Sequence, residues 1–75
     1  IGQVLSAIFS ADGNRILTGG SDGKVCLWDT NRGLLTAQLV AHSAAVRRLA
    51  FSPDGGRVLT AGDDGTARVW ELSPP

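Results

Sequence analysis

The sequence predicts an all-β fold made of two copies of one antiparallel sheet, and three observations support this prediction. The segment FSADG at residues 9–13 recurs as FSPDG at residues 51–55, and this register extends over 21 positions with 11 identities. Both copies divide into short β-prone runs that are separated by Asp-Gly turns. Ten glycines among 75 residues also suit tight turns, and no segment keeps the 3.6-residue apolar period long enough to form a helix.

The strands can be placed in order along the chain. In the first copy, β-prone runs lie at 4–9, 15–18, 25–28 and 34–40, with turn residues between them at 11–14, 21–23 and 31–33. In the second copy, the corresponding runs lie at 46–51, 57–60 and 67–70. The glycine that follows each aspartate supplies the positive φ that a hairpin turn requires. We therefore predict a four-stranded sheet followed by a three-stranded sheet.

The repeat divides the chain into two units and a short tail. Residues 1–40 form the first unit, and residues 41–72 form the second, which lacks an outer strand. Residues 73–75, Ser-Pro-Pro, are interpreted as a linker or tail, since proline cannot donate to a strand ladder. An isolated pair of such units would expose apolar surface and a strand edge, so we expect each unit to need neighbours.

Composition narrows the possible functions. Seven basic and seven acidic residues balance, so nucleic-acid binding is not expected. No apolar run approaches the roughly 20 residues that cross a bilayer, so no membrane contact is expected. Cys26 is the single cysteine, which excludes an internal disulfide, and with His42 it supplies too few ligands for a zinc site. An intracellular, cytoplasmic protein without a cofactor is expected, because neither a signal-peptide layout nor an Asn-x-Ser/Thr acceptor occurs.

The GGSDGK segment at residues 19–24 raises the question of a phosphate-binding loop. A P-loop needs a glycine, four residues and then Gly-Lys-Ser/Thr, but Thr18 stands five residues before Gly23, and Val25 follows Lys24. The second copy has Thr66 in place of Lys24. A loop whose cation is absent from its own repeat is interpreted as a turn between strands.

Two further candidates for chemistry have a structural interpretation. The segment DDG at residues 63–65 lacks the alternating oxygen ligands and the distant bidentate acid of a calcium loop. His42 has no nucleophile or second ligand at a repeating position. We therefore predict no enzymatic activity and no metal site.

A unit of about 42 residues, with four strands and a tryptophan followed by an acid, is the pattern of a β-propeller blade. The first copy ends in Trp28-Asp29 and the second in Trp70-Glu71. With the doubled FS-x-DG segment, the sequence resembles the WD40 (WD-repeat) family over residues 1–72. The resemblance implies two adjacent blades of a partial β-propeller. Two departures are Glu71 for the usual Asp, and Ala41 where the family usually has Gly before His.

The resemblance also implies a structural hydrogen-bond set in each blade: a His before the first strand, a Ser or Thr on the second, an Asp in the next turn and a Trp on the third. In the second blade these positions are His42, Thr60, Asp64 and Trp70. In the first blade they are Thr18, Asp22 and Trp28, and the His position falls before Ile1. Such a chain of groups satisfies polar atoms that lie beside a buried indole.

The family's propellers serve mostly as platforms for protein partners, and the resemblance implies the same non-catalytic scaffold role here. The rim implied to face a partner carries Gly2, Gln3, Ser21, Ala44, Ala45 and Asp63. These residues are mostly small, whereas binding hot spots favour Trp, Tyr and Arg, so the main contact residues are expected elsewhere. The expected partners are other proteins and the remaining blades of the propeller, from the same chain or from other copies.

Two alternatives remain open. Three or four copies of the chain could close a ring of six or eight blades as a self-assembling module. The two blades could also belong to a propeller that is attached to an enzyme such as a kinase.

Overall fold

The structure, a computed structural model, describes residues 2–72. These residues form seven strands: β1 (Val4–Phe9), β2 (Arg15–Gly20), β3 (Lys24–Asp29), β4 (Leu34–Val40), β5 (Val46–Phe51), β6 (Arg57–Gly62) and β7 (Ala67–Glu71). The tail predicted at 73–75, and residue 1 of the first predicted unit, lie outside the described residues. Within the described range there is no helix with the length and apolarity that a membrane span needs.

The strands form two antiparallel sheets in which chain neighbours are also spatial neighbours. The first sheet has the order β1-β2-β3-β4, and the second has the order β5-β6-β7. The predicted fold class is therefore confirmed: the described residues form a four-stranded blade followed by a three-stranded blade. We call these blade one and blade two.

Four strands extend beyond their predicted bounds: β2 and β6 by two residues each, β3 by one residue at each end, and β7 by one residue. Strand β2 includes Gly19 and Gly20, and Gly19 pairs with Val25 across the ladder. Glycine is ordinarily unfavourable inside a strand. Here a Cβ on Gly19 would lie 2.8 Å from Cγ1 of Val46, so the missing side chain lets blade two approach the backbone of blade one. Tertiary packing thus outweighs the local propensity.

Each blade has two faces, because side chains alternate along a strand. We call the face that carries the tryptophan the front face and the opposite one the back face. Cross-strand pairing places Phe9, Ile16 and Trp28 on the front of blade one and Ile8, Leu17 and Leu27 on its back. The same pairing places Phe51, Val58 and Trp70 on the front of blade two and Ala50, Leu59 and Val69 on its back.

The back face of blade one packs on the front face of blade two. Leu17 and Val25 from blade one meet Val46 and Val58 from blade two, and each of these four side chains is at most 1% exposed. Burying one such side chain stabilises the fold by about 1.5–3 kcal/mol. The core of the molecule is therefore the interface between the blades rather than the interior of either sheet.

Arg15 adds a polar clasp at the edge of this interface. Its guanidinium donates to the carbonyl oxygen of Gly55 over 2.7 Å and lies 5.4 Å above the centroid of the Phe51 ring. A cation over an aromatic face contributes about 0.5–2 kcal/mol, depending on its exposure to water. The Arg15 side chain of blade one thus contacts both strand β5 and the FSPDG turn of blade two.

The two FSxDG turns have nearly the same internal geometry. In blade one, the hydroxyl of Ser10 donates to Asp12 over 2.6 Å and the backbone N–H of Asn14 donates to the same carboxylate over 2.9 Å. Ser52, Asp54 and Gly56 repeat these contacts at 2.6 and 2.9 Å. The serine hydroxyl, followed by the backbone N–H, holds the pKa of each aspartate below its usual range.

Candidate functional site

The segment that joins the two blades carries His42 and is anchored on blade one. The backbone N–H groups of Ala41 and His42 both donate to the carbonyl oxygen of Gly23, over 3.0 and 3.1 Å. Gly23 lies in the β2–β3 turn of blade one, whereas the side chain of His42 enters blade two. This residue therefore connects the blades through its backbone on one side and its ring on the other.

Two glycines provide the space for this connection. Gly23 has a φ of 84° and is pressed against the carbonyl of His42, so a Cβ there would collide with that oxygen. At Gly62, a Cβ would lie 2.8 Å from the Cγ and Nδ1 atoms of the His42 ring. The imidazole is consequently seated directly against the β6 backbone, at a position where no other residue type leaves room.

The His42 ring occupies the centre of a buried hydrogen-bond network. Its side chain is 0% exposed, and its Nε2 lies 2.8 Å from Oγ1 of Thr60. The indole N–H of Trp70 donates to the same Thr60 oxygen over 3.1 Å. On the other side of the ring, Nδ1 lies 3.0 Å from Oδ2 of Asp64. The structure thus brings together the four residues that the resemblance implied for blade two.

One arrangement of protons satisfies every group in this network. Trp70 can only donate, so Thr60 accepts from it and directs its own proton to Nε2 of His42. The ring then carries its proton on Nδ1 and donates it to the carboxylate of Asp64. A neutral imidazole is sufficient for this arrangement, and each link contributes about 0.5–1.5 kcal/mol net. The network holds the His42 ring by both of its nitrogens, between Thr60 on one side and Asp64 on the other.

Asp64 receives more hydrogen bonds than the sequence predicted. The hydroxyl of Thr66 donates to it over 2.7 Å, and the backbone N–H groups of Thr66 and Ser43 donate over 3.0 and 3.2 Å. These contacts, the Thr66 hydroxyl first, hold the pKa of Asp64 well below its usual range. Thr66 also lies 3.0 Å from Nδ1 of His42 and is a fifth member of the network. A threonine two residues after a turn aspartate was the available signal for it.

The three residues implied for blade one are joined only in part. The indole N–H of Trp28 donates to Thr18 over 3.2 Å, as in the second blade. Asp22 instead accepts from the backbone N–H of Lys24 over 3.1 Å, and its carboxylate lies against Gly2. Between residues 2 and 72, no hydrogen bond joins Asp22 to Thr18 or Trp28. The tryptophan of blade one therefore has a single polar link.

The predicted rim residues form pairs between neighbouring loops. Gln3 and Ser21 are bonded twice, since each backbone N–H donates to an oxygen of the other residue over 2.8 Å. In blade two, the backbone N–H of Asp63 donates to the carbonyl of Ala45 over 2.9 Å. Gly2 lies beside Asp22, and Ala44 is half-buried next to Ala45. The loops on this rim are thus tied to each other at equivalent positions in both blades.

One charged residue on this rim is not among those that the sequence analysis placed there. Arg47 lies on strand β5, and its side chain reaches Asp63, with both Nε and Nη2 lying 2.9 Å from Oδ2. Both side chains stay about half exposed, at 57% and 47%. Asp63 also accounts for the raised pKa of the guanidinium of Arg47, mainly through its hydrogen bond. This pair gives the rim a large, oriented polar group that its small residues lack.

The described residues hold no set of three His, Cys, Asp or Glu side chains close enough to bind a metal ion. The thiol of Cys26 lies 3.7 Å from Nε2 of Gln38 on the front face of blade one, away from His42.

Comparisons with known proteins agree with this architecture. The chain is 44% identical over 46 residues to the WD repeat-containing protein VIP3 of Arabidopsis thaliana, which is 61% of this chain and 14% of that protein. Among solved structures, the Cps50 (Swd1) β-propeller domain of Myceliophteria thermophila superposes with a TM-score of 0.87 at 17% identity, over 96% of this chain and 23% of its own. The computationally designed Ika4 protein superposes with a TM-score of 0.82 at 28% identity, over 93% and 41%.

The chain thus spans a small part of the curated relative and less than half of each solved structure. The Cps50 likeness, at its low identity, shows the fold alone. The model of the WD domain, G-beta repeat family matches residues 2–29 and again residues 33–71, which together make up most of the chain. The chain belongs to the WD40 family and carries two of its repeats.

Proposed function

We propose that these two blades are a segment of a non-catalytic scaffold that binds a protein partner at the rim carrying Gln3, Ser21, Asp63 and Arg47. The observation that carries this proposal is the fixed geometry of that rim. Loops from different strands are hydrogen-bonded to each other there, and a guanidinium and a carboxylate are held half exposed above them. A partner that meets such a surface orders few side chains when it binds, which lowers the entropic cost of association.

The use of polar residues inside the fold supports the same proposal. His42 is the single histidine of the sequence, and both of its ring nitrogens are engaged within blade two. Asp64 likewise accepts hydrogen bonds from three residues, His42, Ser43 and Thr66. The groups that most often act as bases or nucleophiles are therefore occupied in holding the blade, whereas Arg47 and Asp63 remain accessible. We place this platform inside the cell, in the cytoplasm, where a fluorescent fusion would test the assignment.

A site-specific crosslinking experiment tests the proposal. A photoreactive phenylalanine replaces Ala44 on the proposed rim, and in a matched protein it replaces Ala11, which is exposed in the first FSxDG turn on the opposite rim. Both proteins are irradiated in cells of the source organism. We expect discrete protein adducts from position 44, a loss of at least fivefold in the Arg47→Glu background, and none of these adducts from position 11. Equal adducts from both rims, or adducts that Arg47→Glu leaves unchanged, would contradict the proposal.

A further inference from the structure

The outermost strand of blade one has a free edge. Strand β4 pairs with β3 on its inner side, and none of the strands between residues 2 and 72 pairs with it on the outer side. The backbone N–H and C=O groups along this outer edge are therefore open to pairing with another strand. The outer edge is distinct from the two faces of the blade and from the loops of the rim.

The side chains of β4 offer little protection against such pairing. Its sequence, LLTAQLV, includes no charged residue, no proline and no glycine. Leu34, Leu35 and Val40 are 56%, 47% and 74% exposed. Natural edge strands are commonly protected by charged side chains, by proline or by an irregularity of the strand. Uncharged segments of this length and composition are also those that stack into cross-β ladders. The outer edge of β4 therefore needs protection from its backbone.

The strand contains an irregularity at Thr36. Leu27 pairs with Ala37, and the next residue, Trp28, pairs with Leu35, so Thr36 is an extra residue that forms a β-bulge. Its hydroxyl donates to the carbonyl oxygen of Leu27 over 3.0 Å. A bulge bends the strand, increases its twist and disrupts the regular ladder. The regular part of β4 after the bulge is consequently limited to residues 37–40.

We propose that the Thr36 bulge protects the outer edge of blade one and prevents β4 from pairing with the β4 strand of a second molecule. The bulge shortens the regular stretch of backbone that an incoming strand could follow, and its added twist turns the edge away from a flat partner. This protection belongs to the backbone of blade one. It is independent of the rim at which we propose that a protein partner binds.

The pairing that the bulge prevents follows from the sequence of β4 itself. Without the bulge residue, side chains would alternate between the front and back faces along the whole strand. Two such strands can then pair antiparallel about a two-fold axis at Gln38. In that register Leu35 lies opposite Val40, and Ala37 lies opposite Leu39, each pair on one face of the sheet. Apolar side chains meet apolar side chains and no charges oppose each other, so the strand is complementary to itself.

Deletion of Thr36 tests the proposal. Sedimentation equilibrium at several protein concentrations, with circular dichroism alongside, compares the deletion variant with the wild-type chain. We expect a β spectrum from both proteins, and an association constant that the deletion raises by about tenfold or more, because each new cross-strand pair adds favourable free energy. Thr36→Val is the matched control. It keeps the extra residue and removes only the hydrogen bond to Leu27, so its association constant should equal that of the wild type.

A charge at Gln38 identifies the edge at which the deletion variant associates. In the two-fold register, Gln38→Lys places two like charges directly opposite each other, which disfavours the pair. When it is added to the deletion, it should return the association constant to the wild-type value. A deletion variant with a β spectrum and an unchanged association constant would overturn the proposal. Association that persists after Gln38→Lys would overturn it as well, since the contact would then lie elsewhere.

Hydrogen exchange of the wild-type chain gives a second test, which does not require the deletion variant to fold. The backbone N–H groups of residues 34–40 that point away from β3 should exchange at a rate that is independent of protein concentration. Slower exchange of these groups as the concentration rises would show that the outer edge pairs in spite of the bulge, and would overturn the proposal.

Discussion

Blade one and blade two share a sequence motif but are stabilised by different means. Blade one has four strands, and within the described residues its tryptophan donates a single hydrogen bond, to Thr18. Blade two has three strands within the described residues, and its tryptophan belongs to a network that includes His42 and Asp64. The same residue type at the same repeat position therefore contributes differently in the two blades. How much a side chain contributes to stability therefore depends more on the blade in which it lies than on the local sequence.

The largest expected difference concerns the leucine in the second strand of each repeat. Leu17→Ala removes a fully buried side chain from the blade interface and is expected to cost about 2–5 kcal/mol. Leu59→Ala removes a side chain that is 44% exposed, and should cost about 1 kcal/mol or less in dilute solution. Urea unfolding of both variants measures the difference. Equal losses would show that the two faces are equally buried in solution.

The next largest difference concerns the glycine of the second turn. Gly23 and Gly65 have nearly equal positive φ values, 84° and 86°, so alanine costs about 1–2 kcal/mol at either position. At Gly23 the added Cβ also meets the carbonyl of His42, which adds about 1–3 kcal/mol of overpacking. In thermal unfolding, the melting temperature of Gly23→Ala should therefore be well below that of Gly65→Ala. If the two variants melt together, the joining segment is not pressed on Gly23.

Replacing threonine by valine should distinguish the two tryptophan sites by the stability that each variant loses. Thr60→Val leaves the indole N–H of Trp70 and a nitrogen of His42 without partners in a buried site, and should cost about 1–3 kcal/mol. Thr18→Val breaks one bond at a half-exposed site and should cost about 0.5–1.5 kcal/mol. Equilibrium unfolding measures both losses. A Thr18→Val variant that is as unstable as Thr60→Val would mean that blade one has a comparable network.

The smallest effect is a change in pH dependence. Asp12, Asp54 and Asp64 have lowered pKa values in the fold, so the unfolded chain binds more protons at low pH. Their contribution to stability is complete above the ordinary carboxyl pKa of about 4 and is lost as the pH falls toward the lower folded-state values. Thr66→Val removes the main donor to Asp64, so the pKa of Asp64 should rise and the acid-induced loss should become shallower.

Carboxyl carbon shifts followed by NMR titration report this pKa directly. Thr30→Val is the matched control, because its hydroxyl donates to the Gly13 carbonyl, far from Asp64 in sequence and in the other blade. An Asp64 pKa that does not move in the Thr66→Val variant would show that the backbone donors alone hold it down.

The internal repeat made the strand order predictable, because a pattern that occurs twice constrains the interpretation of both copies. The first strand of each blade and β4 match their predicted bounds. The bounds of β2, β3, β6 and β7 do not match, and β2 and β6 end in glycines, which locally favour a turn. Their role depends on which residue of the other blade lies against them, and no local pattern contains that information.

The contacts of the candidate site likewise include some that the sequence predicted and others that it did not. His42, Thr60, Asp64 and Trp70 occur at fixed repeat positions, so a resemblance could name them before their distances were known. Arg47, which contacts Asp63, lies at a register shift between Val46 and Arg48. Sequence alternation assumes an unbroken pleat and therefore misses what such an irregularity brings together.

The segment that joins the blades has a consequence for how such a chain can gain repeats by duplication. His42 takes its backbone partner from the blade before it and its side-chain partners from the blade that follows, so the sequence unit and the folded sheet are out of phase. A tandem insertion of one 42-residue period can begin at any point along the repeat and still restore both sets of partners. The ends of a duplicated segment therefore need not coincide with the ends of a sheet. Adding a repeat in this way needs no further substitution at the junction between blades.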